Sequence, residues 1–235
     1  KLKVLKALRP INATNINESI VRGQYTSGFV KGEEVPGYLE EEGANTQSKT
    51  ETFVAIKAEI DNWRWAGVPF YLRTGKRMPN KVSEVVIYFK RQPHNLFGDS
   101  FKNLPPNKLV IRLQPDEGVE ITVMNKVPGL TNSGSMDLQK SKLNLSFSEA
   151  FADERIPDAY EKLLLEVMLG NQALFVRRDE IEQAWTWVDS ILDAWKSSNE
   201  PPEPYQAGTW GPVDSIGLLA RENRSWYESK TVKKK

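Results

Sequence analysis

Between Lys108 and Met124 the chain reads KLVIRLQ, then PDEG, then VEITVM. Leu109, Ile111 and Leu113 alternate with Val110, Arg112 and Gln114, the two-residue period of a strand, and PDEG (115–118) alone separates this segment from the next. A link that short can reverse the chain but cannot carry it across a sheet, because a parallel crossover needs about a dozen residues or more. Antiparallel pairing is imposed here, and the neighbouring segments extend it. TFVAIKAEID (52–61) puts Val54, Ile56, Ala58 and Ile60 on one face, SEVVIYFK (83–90) is almost continuously apolar, and KLNLSF (142–147) alternates again. Trp63, Trp65, Val68, Phe70 and Leu72 read as one more buried strand. Without long crossovers between them, these strands predict a large, mostly antiparallel sheet.

Two helical stripes follow. In DAYEKLLLEVML, Tyr160, Leu163, Leu164, Val167 and Met168 share a face; in EIEQAWTWVDSILDAW, Ile181, Trp185, Val188, Leu192 and Trp195 do the same. Pro157 and Asp158 suit the first turn of one helix, and Asp179 with Glu182 has the spacing of a capping box for the other. Each stripe needs a surface, and one face of the sheet is the expected one. NEPPEPYQAGTWGP (199–212), rich in Pro and Gly, is expected to wander over the outside, and residues 231–235 read as a solvated basic tail.

The stretch WRWAGVPFYLRTGKRMPNK runs from aromatic residues straight into Arg73, Lys76, Arg77 and Lys81. Gly75 is expected to let the chain turn sharply beyond the strand, so that Arg73, Lys76 and Lys81 emerge at one rim of the sheet. A cluster of that kind can grip a phosphate or sulfate, or it can simply keep a sheet edge soluble. Arg112 and Gln114 share one face of their strand and read either as a hydrogen-bonded edge pair or as part of a site.

Composition removes several alternatives. With 32 basic and 31 acidic residues no global field favours nucleic acid or a membrane surface, so any charge bias is local. Cysteine is absent, which excludes disulfides and thiolate metal sites and is compatible with a cytoplasmic location. His94 is the single histidine, without partners for a triad or a metal cluster, and reads as an ordinary loop residue. Glu40, Glu41 and Glu42 lack the spacing of a calcium loop and read as a solvated acidic turn, so no metal is expected. No G-x-G-x-x-G turn or P-loop occurs, and the tryptophans read as core residues. No run approaches the roughly 20 apolar residues that span a bilayer, and the charged start does not read as a signal peptide. The chain begins at Lys1 without an initiator Met and reads as a piece of a longer protein.

GYLEEEGANTQSKTETFVAIKAEIDNWRWAGVPFYLRTGKRMPNK, NKLVIRLQPDEGVEITVMNKVPG, DAYEKLLLEVMLGNQALFVRRDEIEQAW and PYQAGTWGP together resemble the C-terminal portion of the bacterial glucose-6-phosphate dehydrogenases. The resemblance implies an α+β fold: a large mostly antiparallel sheet with helices packed on one face, the other face serving subunit association, in a C-terminal domain over residues 1–230 that lacks the N-terminal Rossmann domain. By the same resemblance the lysine of the R-T-G-K turn, Lys76, contacts the sugar phosphate, Lys81 also reaches substrate, and Gln114 of the V-I-R-x-Q-P strand bonds to sugar hydroxyls. The implied activity of the complete protein is oxidation of glucose 6-phosphate to 6-phosphogluconolactone with NADP as hydride acceptor, the first step of the pentose phosphate pathway, in a cytoplasmic homodimer or homotetramer.

The family's nucleotide turn, its R-I-D-H-Y-L-G-K type segment and its general-base histidine do not occur, so no catalytic residue is assigned to this chain, and by itself it is expected to be inactive. A second, structural NADP found in animal members is not expected: Arg73 and Arg112 match basic positions there, but Val82, Val86, Glu120, Thr122 and Trp210 stand where other ligands are needed. An alternative from a different class remains, a non-catalytic module for sugar-phosphate binding or dimerisation.

Overall fold

The structure, a computed structural model, describes residues 1–91, 105–128, 138–155, 157–198 and 200–228. In chain order the elements are α1 (Leu2–Leu5), α2 (Ile16–Ser19), β1 (Ile20–Thr26), β2 (Gly28–Val30), β3 (Glu33–Val35), a 3-10 turn at Tyr38–Glu40, β4 (Phe53–Ala58), β5 (Phe70–Gly75) and β6 (Ser83–Tyr88). There follow β7 (Lys108–Gln114), β8 (Gly118–Lys126), β9 (Leu138–Ser146), α3 (Phe147–Ala150), α4 (Ala159–Met168), α5 (Arg178–Ser198), β10 (Glu203–Gln206) and α6 (Asp214–Ala220). Two compact units are present, one formed by Lys1–Asn80 with the chain from Glu166 onward, the other by Lys81–Leu165.

The mixed helix and strand class with mostly antiparallel sheet is as expected, but the strands divide into two four-stranded sheets and a small hairpin, β2–β3. In the first unit the order is β10-β1-β4-β5, and β10 lies parallel to β1. This corrects the reading of residues 199–212 as outer loop: Tyr205 and Ala207 are 4% and 2% exposed. Proline is tolerated in β10 because it is an edge strand, where a missing donor leaves no ladder bond unmade on the open side.

Both faces of this first sheet are covered. Val21, Tyr25, Phe53, Ala55 and Tyr205 pack with Leu218 and Leu219 of α6; Ile20, with Val54 and Ile56 beside it, packs with Ile191 and Ala194 of α5 and with Ile11 and Ile16. The Val54–Ile56 face therefore does carry a helix, while α6 takes the other face. Its Ser215, Leu218 and Leu219 are buried at i, i+3 and i+4.

The expected α5 stripe holds in its second half, where Trp195 packs on the buried cluster and Val188 and Leu192 are half-buried, and fails in its first half. Ile181 and Trp185 are exposed, whereas Trp187 turns inward and donates from Nε1 to the Arg9 carbonyl at 2.9 Å, and Ser190 Oγ donates to the Ile11 carbonyl at 2.8 Å. Its start is held by buried Glu180, whose Oε2 accepts from the Arg177 amide at 3.2 Å, rather than by an Asp179–Glu182 box; Asp179 instead pairs with Arg177. α4 begins after Pro157 and Asp158 rather than with them in its first turn, Asp158 Oδ1 accepting from the Tyr160 amide at 2.8 Å, and Tyr160, Leu164, Val167 and Met168 are exposed rather than laid on a sheet. Trp63 also lies outside its expected strand and fully in solvent. Asn62 Oδ1 accepts from the amides of Arg64 and Trp65 and folds that segment into a turn.

The second unit carries β6-β7-β8-β9, antiparallel throughout, with β7 and β8 joined by the expected hairpin. Register puts Val85, Ile111, Val119 and Leu145 in one apolar row and Ile87, Leu109, Ile121 and Leu143 in the next; Val85, Ile87, Ile121, Leu143 and Leu145 are exposed. The opposite face carries Arg112, Lys108, Glu120 and Lys142, with Lys142 Nζ 3.0 Å from Glu120 Oε1.

Candidate functional site

β5 brings the cation cluster to its end on a strand that is only half-buried: Phe70 and Tyr71 are partly covered, Leu72 is exposed rather than part of a buried strand, and the last residue has no side chain. Gly75 pairs with Phe53, and a β-carbon there would lie 2.8 Å from the buried Phe53 ring. Its function is thus close approach and not, as the sequence implied, a sharp turn. The unusual backbone belongs to Arg77, at φ 51°. Arg77 tolerates that left-handed conformation because both ends of it are held: its carbonyl accepts from the Gly208 amide at 2.7 Å, and its guanidinium donates to Glu41 Oε1 at 2.7 Å.

Glu41 also accepts from the Tyr25 hydroxyl at 3.0 Å. The Arg77 guanidinium, with help from Tyr25, holds the Glu41 carboxyl below the usual range, while burial and the facing carboxylate push the Tyr25 phenol up. Glu40 is engaged as well, accepting from the Gly37 amide at 2.8 Å. Glu41 therefore clamps the cation turn, while Glu40 and Glu42 are exposed as in the expected solvated acidic turn. Among the described residues no group of histidine, cysteine or carboxylate side chains is arranged to hold a metal.

Within this frame Lys76 is fixed at its backbone and exposed along its side chain. Its amide donates to the Thr52 carbonyl at 2.8 Å and its carbonyl accepts from the Tyr205 hydroxyl at 2.8 Å. Its ammonium makes no hydrogen bond or ion pair among the described residues. Beside it opens a groove of about 660 Å³ lined by Tyr25, Tyr38, Thr50, Thr52, Lys76 and Arg77 among others. A free ammonium next to hydroxyl-bearing walls can bind an anionic, hydroxyl-rich small molecule.

Lys81 and Gln114 belong to the second unit. Ser83, two residues beyond Lys81, pairs with Gln114, so these two residues stand at the same end of that sheet, and both are exposed. Arg112 donates to Asn144 Oδ1 at 2.8 Å and to the Asp116 carbonyl at 3.3 Å, while Gln114 makes no such bond among the described residues; the two do not form a mutual pair. Arg73 stands between two indoles, 4.7 Å from Trp210 and 4.6 Å from Trp226. His94 lies outside the described residues. Sequence reasoning missed Tyr205 and Thr52, whose hydroxyls organise the turn.

The chain matches the family model described as glucose-6-phosphate dehydrogenase, C-terminal domain, over residues 1–227. It is 65% identical to a glucose-6-phosphate 1-dehydrogenase of Dickeya dadantii (strain 3937), a match covering 97% of this chain and 46% of the relative. It is 56% identical to that of Rhizobium meliloti (strain 1021), with the same 97% and 46% coverage. The chain thus spans about half the length of the curated relatives it matches. A solved structure titled as glucose-6-phosphate dehydrogenase in complex with its substrate glucose-6-phosphate aligns with a TM-score of 0.83 at 34% identity, covering 97% of this chain and 44% of that one. Among the described residues no helix is long and apolar enough to cross a membrane.

Proposed function

The chain belongs to the glucose-6-phosphate dehydrogenase family as its C-terminal domain, and we propose that in the complete protein it binds glucose 6-phosphate for NADP-dependent oxidation at carbon 1. Lys76 and Lys81 neutralise the phosphate and Gln114 bonds to a sugar hydroxyl. The observation that carries this reading is Lys76: a backbone fixed at both its amide and its carbonyl, with an ammonium that pairs with no described residue beside an open groove whose walls include Tyr25, Tyr38, Thr50 and Thr52.

The chemical step itself is not assigned to these residues. Hydride transfer from carbon 1 needs a base for the hydroxyl proton and a nicotinamide held against the same carbon. The described residues offer no glycine-rich strand-to-helix turn that would cradle a dinucleotide, so no part of NADP binding is assigned to this chain. What this chain supplies is charge and orientation: fixing the phosphate end holds the far end of the sugar at a set place. A cytoplasmic homo-oligomer completes the reading.

Lys76→Ala and Lys81→Ala in the complete enzyme test it. Each removes a charge-assisted contact worth about 1.5–3 kcal/mol, or about 10- to 150-fold in affinity. The loss in kcat/KM is expected with glucose 6-phosphate and not with glucose, which lacks the group being neutralised. Equal, small changes with both sugars return the R-T-G-K turn to an ordinary charged rim.

A further inference from the structure

The segment that organises the Lys76 turn comes from far along the chain. Tyr205 on β10 is buried, its ring held against Phe53 at 5.5 Å and Tyr25 at 6.4 Å between centroids. Its hydroxyl has three oxygen neighbours: the Lys76 carbonyl at 2.8 Å, and the Thr52 carbonyl and hydroxyl, each at 3.2 Å. A phenol has one proton to give and both carbonyls only accept, so the shortest contact, to Lys76, takes that proton. The Thr52 hydroxyl is then free to donate to the Tyr205 oxygen, since its other acceptor, the Gly23 carbonyl, is 3.5 Å away. The resulting order is Thr52 hydroxyl to Tyr205 hydroxyl to Lys76 carbonyl. Three residues further on, the Gly208 amide donates to the next carbonyl of the turn, that of Arg77. Two consecutive carbonyls beyond the end of β5 are thus both captured by the β10 segment.

We propose that Tyr205 is a positioning residue for glucose 6-phosphate, acting through Lys76: its hydroxyl fixes the peptide from which the lysine reaches the phosphate. The proposal rests on the substrate-site reading of Lys76. Without the hydroxyl the Lys76 carbonyl loses its partner under a buried ring, and the peptide must rotate or draw in water to satisfy it. The lysine stem can absorb part of that rotation, so the effect is smaller than deleting the ammonium.

The test is Tyr205→Phe in the complete enzyme, alone and combined with Lys76→Ala, reading kcat/KM for glucose 6-phosphate and for glucose together with thermal stability. Phe keeps the ring contacts and removes only the hydroxyl. Tyr205→Phe is expected to lower the preference for glucose 6-phosphate over glucose by about 2- to 10-fold, chiefly through KM, and to add nothing to that preference once Lys76 is Ala. A loss shared equally by both sugars, a change in stability alone, or an additive effect in the double variant overturns the positioning role. If Lys76→Ala itself leaves the preference unchanged, the substrate reading of Lys76 is what fails, and the positioning role falls with it. Should Tyr205→Phe not fold, Thr52→Val is the second variant: it removes the donor that orients the phenol, together with the acceptor of the Tyr25 amide at 3.0 Å, and is expected to lower the preference in the same direction and to add nothing once Lys76 is Ala.

Discussion

Gly75 decides between two explanations of how the cation turn is built, and substituting it separates them. A β-carbon there would sit 2.8 Å from Phe53 Cδ2 and 3.1 Å from Met78 Sδ. The Met78 thioether can swing away, but Phe53 is 1% exposed and packs against Tyr205, so its ring has nowhere to retreat. Forcing one extra carbon into such a core costs about 1–3 kcal/mol. Gly75→Ala should therefore lower the unfolding free energy of the complete enzyme by that amount, read as a lower urea midpoint without a change in slope. Gly75→Asn discriminates further: Asn is the better substitute where a left-handed conformation is needed, and the worse one where space is lacking. Close approach thus requires Asn to destabilise at least as much as Ala. Combining Gly75→Ala with Phe53→Leu should cost less than the sum of the two single changes, because the trimmed ring vacates the contested space. Asn better tolerated than Ala, or strict additivity in the double variant, refutes this account of Gly75.

Glu203 has its carboxyl pushed up by burial and then by Asp214 beside it. Such a group stabilises the fold only while protonated, and that contribution is lost as pH rises through its folded-state value, so Glu203→Gln is expected to raise stability at neutral pH and to lose this advantage below the ordinary carboxylate range; urea midpoints measured across pH that show no such convergence refute it. The complete protein is expected to sediment as a homodimer or homotetramer held through a sheet face. Comparing Leu143→Asp on the apolar rows with Lys142→Glu on the opposite face identifies that face by whichever variant dissociates, and a wild type that is monomeric at micromolar concentration removes the idea.

What could be read from the sequence followed from local constraints. The β7–β8 hairpin was legible because its link is too short for any other connection, and the α4 start to within two residues because Pro157 and Asp158 favour a helix beginning there. β10 was not, since Pro201, Pro202 and Pro204 together look like loop, although only Pro204 lies in the strand, where an edge position beside β1 makes it acceptable. On α5 two tryptophans competed for the buried face. Trp187 occupies it because its indole N–H finds the Arg9 carbonyl, a partner that no periodicity in the helix reveals.

The site divides along the same line. The proposed roles of Lys76, Lys81 and Gln114 all rest on the family resemblance, and no local pattern points to Tyr205, whose bond to the Lys76 carbonyl spans 129 positions. A buried phenol needs a partner for its hydroxyl, but the sequence does not say which carbonyl lies above it. The features that make Lys76 conspicuous, a charge and a neighbouring glycine, are those of any solvated turn. Only the long-range bonds from Thr52, Tyr205 and Gly208 distinguish a fixed presentation of that charge from a floppy one. A lysine meant only to keep a sheet edge soluble has no use for a fixed peptide on both sides, because hydration is indifferent to where the ammonium points; a lysine that must meet one phosphate benefits from each constraint that narrows its reach.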